Sequence, residues 1–174
     1  MPRNIEIKAR LGGDGASLDA VAARAAALAT EPACEIIQDD TFFRCDTGRL
    51  KLRAFADGSG ELIYYRRADD AGPKESFYVL APVDDCDALR RALSLAYGEA
   101  GRVRKRRTLV MVGRTRVHLD RVEGLGEYLE LEVVLRDDEA SAVGEAEAHA
   151  LMAQLGIAPA QLVEGAYVDL LGRR

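Results

Sequence analysis

The chain has 174 residues, 48% of them hydrophobic and 30% charged, and its formal net charge is −5. This length and composition suffice to bury a core without disulfide or metal staples, so we expect a single domain over residues 1–174. The acidic balance argues against a nucleic-acid partner, which requires a basic surplus. No apolar run reaches membrane-spanning length and the first residues lack the pattern of a signal peptide. We therefore expect a cytoplasmic protein without a membrane partner.

The first predicted strand, 4–11, begins with "NIEIKAR". In a strand, alternate side chains point to opposite faces, so Ile5 and Ile7 share one face while Asn4, Glu6 and Lys8 share the other. Such a charged face meets either bulk water or an enclosed polar interior that holds a ligand. The heptad alone favours bulk water, and the enclosed interior is the alternative.

Three longer helices and a short helical tail are predicted. The first runs from Ser17, a plausible N-cap, to about Ala29. The second lies in "DDCDALRRALSLAYG" and ends at Gly98, and the third covers about 140–155. The tail is "YVDLL". Each of the longer helices has an apolar stripe that must be buried against another element.

The other predicted strands are rich in alternating or β-branched residues and are bounded by Gly, Asp or Pro signals. They lie at 35–45, 49–56, 61–67, 76–81, 102–112, 115–122 and 127–136. In "RLKLR", Lys51 and Arg53 alternate with Leu50 and Leu52. This strand therefore also has one charged face.

The strands 102–112 and 115–122 form a hairpin whose register follows from the turn. Gly113 stands first in the two-residue turn Gly113-Arg114, as a type II′ turn prefers. If Val112 pairs with Thr115, directly opposed residues share a face. The shared face then carries Lys105, Arg107, Arg116, His118 and Asp120.

The last strand continues this arrangement. In "EYLELEVVL", Tyr128, Glu130 and Glu132 point one way and Leu129 and Leu131 the other. Several strands thus have one charged face, while the helices need apolar faces to cover. A closed barrel with helices outside and charges inside satisfies both requirements, and an open sheet with one wet charged face is the rival arrangement.

A charged interior requires a charged ligand, because buried charge is costly unless it is paired. Converging Arg and Lys side chains suit a polyphosphate. Carboxylates in the same interior would repel that anion unless a hard divalent cation such as Mg²⁺ or Mn²⁺ lies between them. The candidate ligands are oxygens; the scattered Cys34, Cys45 and Cys86 argue against a zinc site. No phosphate-binding loop of the G-x-x-x-x-G-K-[ST] type is present, so side chains would hold the phosphates.

With these residues, the chain resembles the CYTH superfamily, also called triphosphate tunnel metalloenzymes, and most of all bacterial class IV adenylyl cyclases. The resemblance extends over almost the whole chain, through "NIEIKAR", "DDTFF", "LKLR", "GELIYYRR", "GPKES", "VRKRR", "TRVHLDRVEGLGEYLELE" and "AYVDLL". It implies an α+β fold, in which a closed eight-stranded antiparallel β-barrel forms a tunnel with helices packed on the outside.

The resemblance also implies roles for individual residues. Catalytic roles would fall to Glu6, Lys8 and Asp120, and metal binding to Glu6, Glu130, Glu132 and Asp120. Phosphates would be bound by Lys8, Arg53, Lys105, Arg107 and Arg116, with Lys51, Arg67 and Lys74 as weaker candidates. The phase of "YYRR" is ambiguous by one residue, and Lys74 lies in a predicted loop that would close over the ligand. Asp40 matches the aspartate of a D-T-Y motif in the family.

One position departs from the family pattern. The signature is E-x-E-x-K, and Asn4 stands where its first glutamate is expected, so the metal site has one carboxylate fewer. The first functional hypothesis is a cyclase-like reaction that converts ATP into cyclic AMP and pyrophosphate. The second is hydrolysis of tripolyphosphate, thiamine triphosphate or a nucleoside triphosphate, and the third is a non-catalytic binder of a triphosphate or another polyanion. The expected partner is a small-molecule triphosphate, and a homodimer is the candidate assembly.

Overall fold

The computed structural model describes residues 3–67 and 72–173. Within those ranges the strands are β1 (Arg3–Arg10), β2 (Cys34–Phe43), β3 (Arg49–Phe55), β4 (Gly60–Arg67), β5 (Lys74–Val83), β6 (Glu99–Val112), β7 (Thr115–Val122) and β8 (Gly126–Val134). The helices are α1 (Leu18–Leu28), α2 (Cys86–Tyr97), α3 (Ser141–Gln154) and α4 (Tyr167–Gly172), and a 3₁₀ turn spans Pro159–Gln161. Ser17 caps α1, because its side chain accepts a hydrogen bond from the Ala20 backbone N–H.

The strands form a closed antiparallel barrel in the order β1-β5-β4-β3-β2-β6-β7-β8. This confirms the predicted eight-stranded tunnel and excludes the open sheet. The β6–β7 register is also as predicted, with Val112 opposite Thr115 and Arg107 opposite Asp120. Gly113 has a φ of 58°, a left-handed value that the hairpin turn requires at this position.

Strand β5 is longer than predicted. It begins at Lys74, which pairs with Glu6 of β1 and is 6% exposed. The prediction that Lys74 lies in a loop is therefore wrong. Gly72 and Pro73 are a correct breaker signal, but β1 offers a partner strand directly after it.

The main apolar core lies outside the barrel wall, under the helices. Outward side chains of β1, β7 and β8 pack against α1 and α3, and Leu52 of β3 packs with Cys86 at the start of α2. The last helix, α4, lies at one end of the barrel, where Tyr167 packs with Phe42, Val103 and Tyr128. In the described part of the chain, no helix is both long and apolar enough to cross a membrane.

Helix α3 approaches the barrel closely at Gly144. A Cβ atom added there would lie 2.6 Å from Leu135 Cδ2 and 2.7 Å from Ile5 Cγ1. We predict that Gly144→Val lowers the free energy of unfolding by about 1–3 kcal/mol, because an overpacked core must shift. Ala146→Val, at an exposed position of the same helix, is the matched control. Urea unfolding of both variants measures the difference, and equal stabilities would contradict this packing.

Candidate active site

The tunnel interior contains a cavity of about 320 Å³ lined by inward side chains of all eight strands. Most of the predicted site residues meet there: Glu6, Lys8, Asp40, Lys51, Arg53, Arg67, Lys105, Arg107, Arg116, Glu130 and Glu132. Asn4, Lys74 and Asp120 are buried but do not belong to this lining. Strict alternation in the strands thus brings charges that are distant in sequence into one enclosure.

One buried carboxylate pairs with three cations at the wall formed by β2, β3 and β6. Asp40, 1% exposed, accepts hydrogen bonds from Arg53 at 2.8 and 2.9 Å, and from Lys51 and Lys105 at 3.2 Å each. Burial alone would raise the pKa of Asp40, but the three cations hold it well below its usual value. Burial, together with the nearby Arg53, lowers the pKa of Lys51 to about 7. The cations therefore exceed the charge of the carboxylate that holds them.

A second ion-pair cluster lies on β6, β7 and β8. Arg107 donates to both oxygens of Asp120, at 2.7 and 2.6 Å, and to Glu130 at 2.6 Å. Asp120 is fully buried and also accepts a hydrogen bond from the Tyr167 hydroxyl at 2.9 Å. Its placement suits a group that orients Arg107, and both the metal-binding and catalytic roles implied for Asp120 stay predictions.

The segment before α4 closes the tunnel at the end near Lys8. Gly165 offers its carbonyl oxygen to Lys8 Nζ at 2.9 Å and to Arg67 at 3.3 Å. Lys8 also lies over the Tyr167 ring, 4.2 Å from its centroid, and burial lowers the pKa of Lys8 to about 8. Gly165 and Tyr167 were not predicted as site residues. Alternation within strands cannot reveal a contact 157 residues away along the chain.

Arg67 and Glu6 form an ion pair inside the tunnel. Since Arg66 is exposed, the ambiguous phase of "YYRR" resolves with Arg67 pointing inward. In this arrangement Glu6 is turned toward Arg67. Its role as a metal ligand stays a prediction.

One set of side chains in the described ranges is close enough to share a metal ion. Ligand atoms of His118, Glu130 and Glu132 all lie within 4.8 Å of one another. Burial would raise the pKa of both carboxyls, but Lys8 and Arg107 hold that of Glu130 well below its usual value. His118, Arg116 and Arg107 likewise bring the pKa of Glu132 down to about 2. Two ionised carboxylates beside a buried imidazole fit a divalent cation.

At the opposite end of the cavity, apolar side chains lie beside Gln38 and Glu61. Ile36, Phe55 and Leu80 line the cavity there, whereas Phe42 at the other end of β2 packs against Tyr167 near α4. Leu80 is 48% exposed, so this end is open to solvent. These side chains were not predicted as site residues, because each is an ordinary alternating strand residue in the sequence.

The family model described as the CYTH domain matches residues 2–167. The chain belongs to the CYTH domain family. Solved structures support the same fold: a protein from Pyrococcus horikoshii OT3 is 20% identical, with a TM-score of 0.83, over 97% of this chain and 99% of that one. A candidate adenylate cyclase from Vibrio parahaemolyticus is 19% identical, with a TM-score of 0.73, over 97% of both chains.

A more distant structural similarity is to an RNA triphosphatase. The S. pombe RNA triphosphatase Pct1, solved in complex with the Spt5 CTD, is 12% identical with a TM-score of 0.52, over 95% of this chain and 86% of that one. No curated protein matches the chain significantly. At these identities the solved structures establish the fold of this CYTH domain.

Lys51 should make anion binding by this CYTH domain depend on pH. With a pKa of about 7, Lys51 must take up a proton to pair with an anion above that pH. Affinity for tripolyphosphate should therefore fall as pH rises through about 7, by up to about tenfold per unit, relative to Lys51→Arg, which stays charged. Calorimetry in buffers of different ionisation enthalpy measures both affinity and proton uptake. Identical pH profiles for the two proteins would contradict this assignment.

Proposed function

We propose that this CYTH domain is a divalent-metal-dependent enzyme that acts on a nucleoside triphosphate, with cyclase-like conversion of ATP into cyclic AMP and pyrophosphate as its reaction. The observation that carries the proposal is the concentration of buried cations around one cavity. Lys51, Arg53 and Lys105 converge on Asp40 alone, which leaves an excess of positive charge at that wall. A polyphosphate supplies several negative charges in a compact group, and so matches this excess.

The carboxylates on the facing strand support a metal requirement. Glu130 and Glu132 lie in the same cavity as the cations and would repel phosphate oxygens without a cation between them. They would hold Mg²⁺ or Mn²⁺, together with Glu6 as the resemblance implies. Such an ion, when bound, would offset the negative charge on the phosphate oxygens and on the departing pyrophosphate.

The chain's own side chains would bind and orient the triphosphate. Lys51 and Arg53 would contact phosphate oxygens from β3, Lys105 and Arg107 from β6, and Arg116 from β7. Asp120 would act through Arg107, whose guanidinium it holds with two hydrogen bonds. Fixing the cations before the substrate arrives lowers the reorganisation needed in the transition state.

In the cyclase-like reaction, the 3′-oxygen of ATP forms a bond to the α-phosphorus, and the bond from that phosphorus to the bridging oxygen of the β-phosphate breaks. Pyrophosphate leaves with the electron pair of that bond. The 3′-hydroxyl proton passes to a tunnel carboxylate. In hydrolysis the same cations would bind the triphosphate, and water would attack the terminal phosphorus while the bond from that phosphorus to the bridging oxygen breaks. The proton of the water would pass to a tunnel carboxylate.

The apolar end of the cavity favours an organic triphosphate over inorganic tripolyphosphate. Ile36, Phe55 and Leu80 offer no charged group to a phosphate, but they provide a surface on which a base or another ring can pack. An inorganic substrate would leave this surface unused.

The experiment that tests the proposal is product analysis by chromatography. The protein is incubated with ATP, thiamine triphosphate or tripolyphosphate, with Mg²⁺, Mn²⁺ or EDTA. Cyclic AMP and pyrophosphate from ATP are expected, with no product in EDTA. Release of phosphate would assign the hydrolase instead, and binding without any product would assign a non-catalytic binder. Turnover that survives EDTA would exclude the metal requirement.

Neighbouring basic residues of β6 provide a matched pair of variants. Lys105 points into the cavity and Arg106 points to solvent, although both belong to "VRKRR". Lys105→Ala should weaken ATP binding by roughly tenfold or more, because a cation of the clamp is lost, while Asp40 keeps Lys51 and Arg53 as partners. Arg106→Ala should leave affinity within about twofold. Titration at constant ionic strength compares them, and equal losses would indicate a general effect of net charge.

Phe55 tests whether the apolar end binds the organic group. Phe55→Ala should raise KM for ATP several-fold, because packing against the base is lost, and should leave tripolyphosphate affinity unchanged. Phe77→Ala is the control for the general loss of an aromatic side chain. Phe77 belongs to β5 but does not line the cavity, unlike its neighbours Ser76 and Tyr78. A parallel loss of affinity for ATP and tripolyphosphate would show that Phe55 does not contact the organic group.

A further inference from the structure

His118 is a buried histidine that neither the sequence pattern nor the family resemblance gives a role. It lies on β7 with 5% of its surface exposed, and it stands directly opposite Glu130 of β8. Its Nδ1 has no hydrogen-bond partner among the described residues. A buried polar atom without a hydrogen-bond partner is costly, so an ion or a water molecule that binds this nitrogen would be stabilising.

Two carboxylate oxygens lie at the same distance from that nitrogen. His118 Nδ1 lies 3.8 Å from Glu130 Oε2 and 3.8 Å from Glu132 Oε1. Such separations are too long for hydrogen bonds. They suit ligand atoms that share one ion, since metal–ligand bonds of about 2.1 Å place ligand atoms roughly 3–4 Å apart.

Neighbouring cations also bind these carboxylates. Arg116 donates to Glu132 Oε2, which leaves Oε1 facing the imidazole. Lys8 pairs with Glu130 Oε1, and Arg107 donates to Glu130 Oε2. Glu130 would therefore share its oxygens between cations and a metal, whereas Glu132 directs one whole oxygen to the site.

We propose that His118 Nδ1 is a metal ligand, so that the divalent cation of this tunnel is held by one nitrogen and the carboxylates of Glu130 and Glu132. This inference rests on the proposed function for the presence of a metal, but it assigns a ligand that the family resemblance does not supply. His118 compensates for the missing carboxylate at Asn4, whose amide oxygen Oδ1 is also buried without a hydrogen-bond partner in the described part of the chain.

A nitrogen ligand has consequences for metal preference. Mg²⁺ strongly prefers oxygen, whereas transition-series ions accept imidazole readily. A site with one imidazole and two carboxylates should therefore bind Mn²⁺ more tightly than Mg²⁺. The alternative is that an ordered water satisfies Nδ1 and the metal contacts carboxylates alone.

Pulsed electron paramagnetic resonance with Mn²⁺ alone tests the proposal directly, because a directly bound imidazole nitrogen couples to the electron spin. The wild-type protein should show this ¹⁴N coupling, and His118→Gln should lose it. His118→Gln should also weaken Mn²⁺ binding by roughly tenfold or more in calorimetry, with a smaller loss for Mg²⁺. His149→Gln, the exposed histidine of α3, is the matched control and should keep the coupling.

Absence of ¹⁴N coupling from Mn²⁺ bound to the wild-type protein would overturn the proposal, and so would coupling that survives His118→Gln. If His118→Gln does not fold, the wild-type and His149→Gln spectra still decide, since these are the only histidines in the chain. Failure of the proposed function can be distinguished from failure of the ligand assignment. Metal-dependent turnover without ¹⁴N coupling would reject only the ligand assignment, whereas coupling without turnover would reject only the enzymatic function.

Discussion

Pairing of buried charge inside the barrel is the constraint on which the rest of the structure depends. An unpaired buried ion costs several kcal/mol, so each tunnel cation needs a carboxylate or carbonyl within reach. Asp40 of β2 meets this need for Arg53 and Lys51 of β3 and for Lys105 of β6. Because these partners come from three adjacent strands, a one-residue slip of any of them would turn its charges outward and its apolar side chains into the tunnel.

The charged interior also determines where the hydrophobic core must lie. In β1, Glu6 and Lys8 point inward, so Ile5 and Ile7 point outward and need a cover. Helices α1 and α3 supply it, and both outward isoleucines are fully buried beneath them. The barrel wall is therefore stabilised from outside by apolar packing, which leaves the inside available for charges that contribute little net stability.

The wall of the tunnel could be predicted from the sequence, because alternation fixes which face each side chain occupies. The turn at Gly113 fixed the β6–β7 register, and the charged faces together favoured closure over an open sheet. What alternation could not predict are contacts between distant segments. Gly165 and Tyr167 reach Lys8 and Asp120 only in the folded chain, and the direction of a charged side chain, as for Glu6 toward Arg67, depends on neighbours across the barrel.

The contacts that the tunnel cations make within the chain define what a ligand must replace. Lys8 and Arg67 donate to the Gly165 carbonyl, so an oxygen acceptor already occupies the position where a phosphate oxygen would compete. Arg107 and Arg116 are likewise bound to Glu130 and Glu132. Affinity is then the difference between two well-paired states rather than the sum of new ion pairs. The wall at Asp40 differs, because three cations share one carboxylate there, and an incoming anion adds charge compensation without first breaking a balanced pair.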